Sequence, residues 1–152
     1  MMHVIRTFTG VFSLLLSLLI LLSCHPQSPE RLKVGDAAPL FSGSDISGKT
    51  LSLEQLKGKP VVLRFFLPDC KFCKADTEIF NSFYERFRDR GLEIIYINTA
   101  PEEVKVEEFV KDLGIKFPVI NDPNGEIAAK YLVRAVPQAV IIGPDLRIKG
   151  AV

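Results

Sequence analysis

Apolar positions along this chain fall into two distinct regimes. From Val11 to Leu22 the run VFSLLLSLLILL is apolar except for two serines, and residues 1–23 carry His3 and Arg6 but no acid. A short basic start, an apolar run of about a dozen residues and a small residue behind it form the pattern of a secretory leader. An uncleaved membrane helix is the competing reading, but a span needs roughly 20 apolar residues and this run with its flanks barely reaches that. The stretch Cys24-His25-Pro26-Gln27-Ser28-Pro29-Glu30 is polar, without period and holds two prolines, as a short tether would. The expected organisation is a leader at 1–23, a tether at 24–33 and one domain at 34–152.

Beyond Val34 the pattern switches between strand-like and helix-like stretches. Residues 38–42 and 49–52 flank a Gly/Ser/Asp cluster, a hairpin signal. Residues 53–57 make a helical turn or two, stopped by Gly58 and Pro60. The run Val61-Val62-Leu63-Arg64-Phe65-Phe66-Leu67 is almost continuously apolar, which predicts a strand buried on both faces. A long helix is predicted from about Cys70 to Arg90, with Phe72, Ile79, Phe80, Phe83 and Phe87 as one apolar stripe. Arg86, Arg88 and Arg90 suit its C-terminal dipole, and Gly91 stops it. Residues 92–98 form a second buried strand. Pro101 opens a helix to about Leu113, closed by Gly114, and Asp122-Pro123 caps a shorter one through Tyr131. Residues 139–142 make a third strand, and 147–150 begin a fourth after a Gly143-Pro144-Asp145 turn. Such alternation predicts an α/β domain with parallel strand pairs, finished by an antiparallel hairpin.

Composition narrows the function. At 152 residues the chain suits one ordinary domain and can bury a core without disulfide or metal staples. Its 19 Lys+Arg and 18 Asp+Glu leave a net charge of +1, which removes the electrostatic case for nucleic-acid binding. Hydrophobic residues at 47% exclude a disordered chain. Eleven phenylalanines and three tyrosines without Trp read as core, with Phe72 the exception. Glu102, Glu103, Glu107 and Glu108 cluster on one predicted helix and read as a solvated face. Three cysteines do not make a disulfide framework, and the odd one requires its own explanation.

Two of the cysteines carry the chemistry. Cys70-Lys71-Phe72-Cys73 stands where a buried strand meets an amphipathic helix. There the unpaired N–H groups and dipole of the helix start favour a thiolate on Cys70, the expected nucleophile. Cys73, one turn on, is placed to attack a mixed disulfide and release product. Lys71 and Lys74 favour the thiolate further, while Asp69 opposes them. Other readings compete. A structural zinc site usually needs four ligands, and beyond this pair the mature chain offers only Cys24 and His25. A copper site would want a nearby His or Met. A static disulfide closing so short a loop gains little entropy, and exported proteins rarely keep buried thiols idle.

Two resemblances follow from these residues. Leu21-Leu22-Ser23-Cys24 resembles the bacterial lipobox, although a residue smaller than Leu22 is more usual there. That resemblance implies cleavage before Cys24, a lipid on Cys24 and a domain held at a membrane outside the cytoplasm. From Val34 to Gly150 the chain resembles the thioredoxin superfamily, specifically the membrane-tethered TlpA/ResA-like thiol–disulfide oxidoreductases. The matching pieces are Gly35-Asp36-Ala37-Ala38-Pro39, the stretch from Leu51 through Gly58-Lys59-Pro60 to Leu63, Cys70 and Cys73, Phe117-Pro118-Val119, and Val136-Pro137. The resemblance implies a thioredoxin-like α/β fold with an N-terminal β-hairpin extension. It implies a cis Pro137 facing the cysteines, and substrate contact by Lys71, Phe72 and the backbone of Val136. It also implies protein disulfide substrates such as apocytochrome c and a membrane electron-donor protein. The cysteines carry the electrons themselves, so no cofactor is implied.

The departures from that pattern are specific. Phe66 and Asp69 stand where the family commonly has Trp, and Lys71-Phe72 replaces a Pro-containing dipeptide. Thioredoxins proper place a buried acid six residues before the first Cys, where this chain has Arg64, so Cys73 must lose its proton to water or another carboxylate. The terminal helix that follows the last hairpin in the family is absent from this sequence, which predicts an uncovered apolar face. Two rival functions remain in view. A peroxiredoxin-like peroxide reductase would use Thr or Ser three residues before its Cys, where this chain has Leu67. A non-enzymatic metal-binding module would use Cys70 and Cys73 as ligands.

Overall fold

In the computed structural model, which describes residues 31–100 and 105–152, the apolar run at 61–66 becomes the middle strand of a five-stranded sheet. In chain order the elements are β1 (Ser42–Ser44), β2 (Thr50–Ser52), a 3-10 turn (Leu53–Leu56), β3 (Val61–Phe66), α1 (Lys71–Phe87) and β4 (Glu93–Asn98). They continue with α2 (Val106–Asp112), β5 (Val119–Asn121), α3 (Glu126–Lys130), β6 (Gln138–Ile142) and β7 (Ile148–Ala151). The main sheet runs β5-β4-β3-β6-β7, and β1 pairs with β2 in a separate hairpin. Strands β5, β4 and β3 are parallel; β6 and β7 return antiparallel.

Period-two alternation along β3 divides the core in two. Leu63 and Phe65 face a cluster with Ile95, Ile97, Val140, Ile142 and Ile148, covered by the 3-10 turn and by Ile127 of α3. Phe66 faces the other cluster, with Ile94, Tyr96, Val119, Cys73 of α1 and Phe109 of α2. Because both faces are covered, β3 must be apolar nearly throughout, and its one charged residue, Arg64, is only 5% exposed.

Several expectations need correction. The predicted apolar stripe on the long helix is split: Phe72, Ile79 and Phe83 are exposed, and the residues turned inward are Cys73, Thr77, Phe80 and Tyr84. The helix has more apolar residues than the sheet face beneath it can cover, so one row of them is left at the surface. Regular helix also ends earlier, at Phe87, and Arg88–Arg90 tightens into a 3-10 turn before Gly91 at φ 88°. The left-handed backbone there is what glycine permits without strain. Strand β5 is three residues long, too short for a period to show in the sequence. The third helix begins at Glu126, not at Pro123; the Asp122 carboxylate reaches forward to accept hydrogen bonds from the N–H groups of Ile127 (3.1 Å) and Ala128 (2.8 Å).

The leader, Cys24, most of the tether and the expected helix start at Pro101 with Glu102 and Glu103 lie outside the described residues. Glu107 and Glu108 are exposed on α2. Ile79 and Phe83 of α1 and Ile141 of β6 are each between 44% and 56% exposed. Among the described residues, no helix is long and apolar enough to cross a membrane.

Candidate active site

Strand β3 delivers the chain through 67–69 to the start of α1, and Cys70 is the residue that caps that helix. Its backbone is extended (φ −73°, ψ 113°), and its Sγ accepts a hydrogen bond from the Cys73 N–H at 3.1 Å. The sulfur therefore takes the place that a Ser or Asp oxygen fills at an ordinary helix start. Unpaired N–H groups and the dipole at this end stabilise negative charge, which is the environment that makes a cysteine reactive.

Cys70 and Cys73 form a disulfide with Cα atoms 5.2 Å apart. Their environments differ. Cys73 is 1% exposed and belongs to the core cluster under α1, whereas Cys70 lies at the edge of that cluster with part of its surface open. A partner thiol or disulfide can thus reach Cys70 first. Lys71 and Phe72 are both exposed beside it, Phe72 at 76%.

The register brings a second segment to the same place. Strand β6 runs antiparallel to β3, with Gln138 opposite Phe65, so β6 begins where β3 ends and the cysteines follow. The residues just before β6 are Val136 and Pro137, joined by a cis peptide bond. Val136 packs against both core clusters, including the one that holds Cys73 and borders Cys70. All six residues expected at the site, Cys70, Lys71, Phe72, Cys73, Val136 and Pro137, are therefore gathered at one end of the sheet. Cys24, the expected lipid site, lies outside the described residues.

Three further residues escaped the sequence reading. Asp76, one turn beyond Cys73, forms an ion pair with Arg64 from β3. Burial raises the Asp76 pKa above the usual carboxylate value, and the Arg64 charge only partly opposes this. Its Oδ1 is buried without a hydrogen-bond partner. The Thr77 hydroxyl donates to the Cys73 carbonyl at 2.6 Å, and the Tyr96 hydroxyl donates to Thr77 Oγ1 at 3.3 Å. Burial pushes the Tyr96 pKa up to about 12, so it stays a neutral donor. The signal for Asp76 was available as an acid three residues after Cys73 with a lone Arg in the facing buried strand. Nothing in the pattern linked Thr77 to Tyr96, which lies on another strand.

At the exposed edge, Asp69 pairs with Lys105 at 2.8 Å, and that ion pair holds the Asp69 carboxyl below its usual range. Among the described residues, no group of three or more His, Cys, Asp or Glu side chains is placed to hold a metal ion.

Comparison with known proteins agrees with this geometry. The model of the AhpC/TSA family matches residues 34–151. The thiol–disulfide oxidoreductase ResA of Bacillus thuringiensis subsp. konkukian is 34% identical over 119 residues, covering 78% of this chain and 69% of that protein. ResA of Bacillus subtilis is 32% identical over the same length, covering 66% of that protein. Among solved structures, the thioredoxin domain of a Bacteroides vulgatus thiol–disulfide oxidoreductase superposes with a TM-score of 0.74. That match covers 79% of this chain and 88% of that domain at 23% identity, a likeness of fold. With a thioredoxin-like sheet, a disulfide at the start of α1 and relatives of this kind, the chain belongs to the AhpC/TSA family and is a thiol–disulfide oxidoreductase of the ResA type.

Proposed function

We propose that this protein reduces disulfides in exported proteins, working outside the cytoplasm from a lipid anchor on Cys24. The observation that carries the redox reading is the asymmetry of the pair: Cys70 caps the helix and is partly open, and Cys73 is 1% exposed behind it. In the reduced protein the Cys70 thiolate attacks a substrate disulfide, and one substrate sulfur leaves as a thiolate. Cys73 then attacks Cys70 Sγ, the second substrate sulfur leaves, and the Cys70–Cys73 disulfide closes. Both electrons come from the cysteine pair, so each turnover requires re-reduction by a donor, which we assign to a membrane protein. Apocytochrome c is one substrate of the right chemistry, an exported chain with a CxxC pair.

The surroundings fit these roles. Phe72 and Lys71 offer an apolar contact and a charge beside the reacting sulfur. The backbone of Val136, just ahead of β6, is the part we assign to pairing with an extended substrate strand, a mode that gives affinity without demanding one sequence. Asp76 is the proton acceptor for Cys73. Helical side chains lean toward the N-terminus, which brings the Asp76 carboxyl back over the turn that holds Cys73. The leader at 1–23 would deliver the domain through the membrane, and the tether would let it reach its partners.

Trapping tests this reading. A Cys73→Ser variant keeps the nucleophile and loses the resolving thiol, so mixing it with a disulfide-containing protein should yield a covalent adduct on Cys70. Non-reducing electrophoresis and peptide mass spectrometry would show that adduct, released by dithiothreitol. Adducts on Cys24 alone, or none at all, would remove the assignment of Cys70.

A further inference from the structure

Arg64 sits where a charge is expensive. It is 5% exposed in the middle strand of the sheet, its only ion-pair partner among the described residues is Asp76, and its Nε lacks a hydrogen-bond partner. Its guanidinium lies 5.1 Å from the centre of the Phe80 ring. Asp76 keeps 31% of its side chain exposed, and replacing even a fully buried ion pair by apolar residues is often neutral or stabilising. Stability alone therefore gives no reason for an arginine at this position.

Its neighbours can be named from every side. Register places Tyr96 of β4 on one flank and Ala139 of β6 on the other. Val62 and Phe66 share its face of β3, and Asp76 and Phe80 close over it from α1. Among the described residues, the titratable and charged groups around the pair are thus Arg64, Asp76 and Tyr96. The last is tied through Thr77 to the carbonyl of Cys73. One oxygen of Asp76 is held by Arg64, and the other, Oδ1, has no hydrogen-bond donor.

We propose that Arg64 is a positioning residue for thiol–disulfide exchange: it keeps Asp76 ionised and turned so that Oδ1 takes the proton Cys73 gives up. This rests on the functional reading of Cys70, Cys73 and Asp76 given above. In the resolving step the Cys73 S–H bond breaks and its proton passes to Asp76 Oδ1. The new thiolate attacks Cys70 Sγ, the bond from Cys70 to the substrate sulfur breaks, and that sulfur leaves as a thiolate. The carboxylic acid then returns its proton to the leaving thiolate or to water. Two electrons move from the cysteine pair to the substrate, and no further oxidant or reductant is required. Without the guanidinium, the burial that already dominates at Asp76 would act unopposed. A larger share of the carboxyl would then carry its proton at any given pH and be lost as an acceptor.

The test is the rate of resolution of a preformed Cys70 mixed disulfide in the full chain, followed across about pH 3 to 10, which brackets the ordinary carboxylate and thiol titrations. Arg64→Met should slow the step about tenfold or more near pH 7 and move its pH profile upward, with the rates converging at high pH where Cys73 ionises unaided. Arg64→Lys should restore much of the rate. Asp76→Asn should be slow as well, and adding Arg64→Met to it should cost little more. A folded Arg64→Met protein with the wild-type profile would overturn the proposal, as would an undiminished Arg64 effect in the Asp76→Asn background. If Arg64→Met does not fold, Arg64→Lys and Asp76→Asn decide: an unchanged rate near pH 7 in Asp76→Asn overturns the proposal. A wild-type protein that forms no mixed disulfide on Cys70 would instead refute the functional reading, which keeps the two failures distinct.

Discussion

A Cys70→Ser protein should show no thiol–disulfide exchange above the uncatalysed background, a loss on the order of 10³-fold or more, as for removal of other enzyme nucleophiles. A serine oxygen can still accept the N–H of residue 73 and cap α1, so the helix start survives. It cannot form or break a disulfide. The variant therefore separates chemistry from fold. Circular dichroism should be close to that of the reduced wild-type protein, and turnover of a protein disulfide such as insulin should vanish. Cys73, 1% exposed, should not substitute as nucleophile, because a substrate sulfur cannot approach it in line. Retained turnover would move the nucleophile to Cys73 or Cys24. Peroxide consumption that depended on Cys70 would favour the peroxide-reductase reading, against which Leu67 stands at the position where a Thr or Ser is expected.

The second large effect is on stability. Phe66 is fully buried, stacked on Phe109 at 4.7 Å between ring centres and tilted against Tyr96 at 5.3 Å. It is the last residue of β3 and fastens the sheet to α2 beside the redox helix. Phe66→Ala removes a full aromatic side chain and leaves a cavity, which costs about 3–5 kcal/mol. Domains of this size hold only about 5–15 kcal/mol in total, so the urea midpoint should fall steeply. By contrast, Ile79→Ser on the exposed side of α1 should stay within about 0.5 kcal/mol. Equal effects at the two positions would show that the helix is rotated from the orientation described here.

These two residues also show how much was legible in the sequence. The strand ending in Phe66 announced itself, because a strand covered on both faces must be apolar nearly throughout. The redox pair was equally plain, since Cys70 and Cys73 stand where strand gives way to helix. Val136-Pro137 was placed by its resemblance to a known pattern, and the antiparallel register of β6 supplies the physical reason it arrives beside Cys70. The orientation of α1 was read less well. Phe72, Ile79 and Phe83 are as apolar as Phe80 and Tyr84, and only the extent of the sheet decides which row is covered. A hydrophobic period identifies a helix but cannot reveal how wide its neighbour is.

The polar network was the least legible part. Arg64 could be seen to stand where thioredoxins keep an acid, yet its partner was not evident, because Asp76 meets it across elements 12 residues apart. Thr77 and Tyr96 are 19 residues apart and meet only once α1 lies across β4. In this protein the carboxylate comes from the helix and the cation from the strand. The proton acceptor proposed above would be held in the site by that pairing.

The most direct test of the account is the reduction potential of the Cys70–Cys73 pair, titrated in defined thiol–disulfide buffers and read by acid quench, alkylation and mass spectrometry. We expect one two-electron couple confined to Cys70 and Cys73, with a midpoint near −270 mV, about that of a reducing thioredoxin. A midpoint near −120 mV, about that of a strong oxidant, would contradict the assignment as a reductant, and the absence of any reversible couple between these two cysteines would contradict the redox mechanism itself.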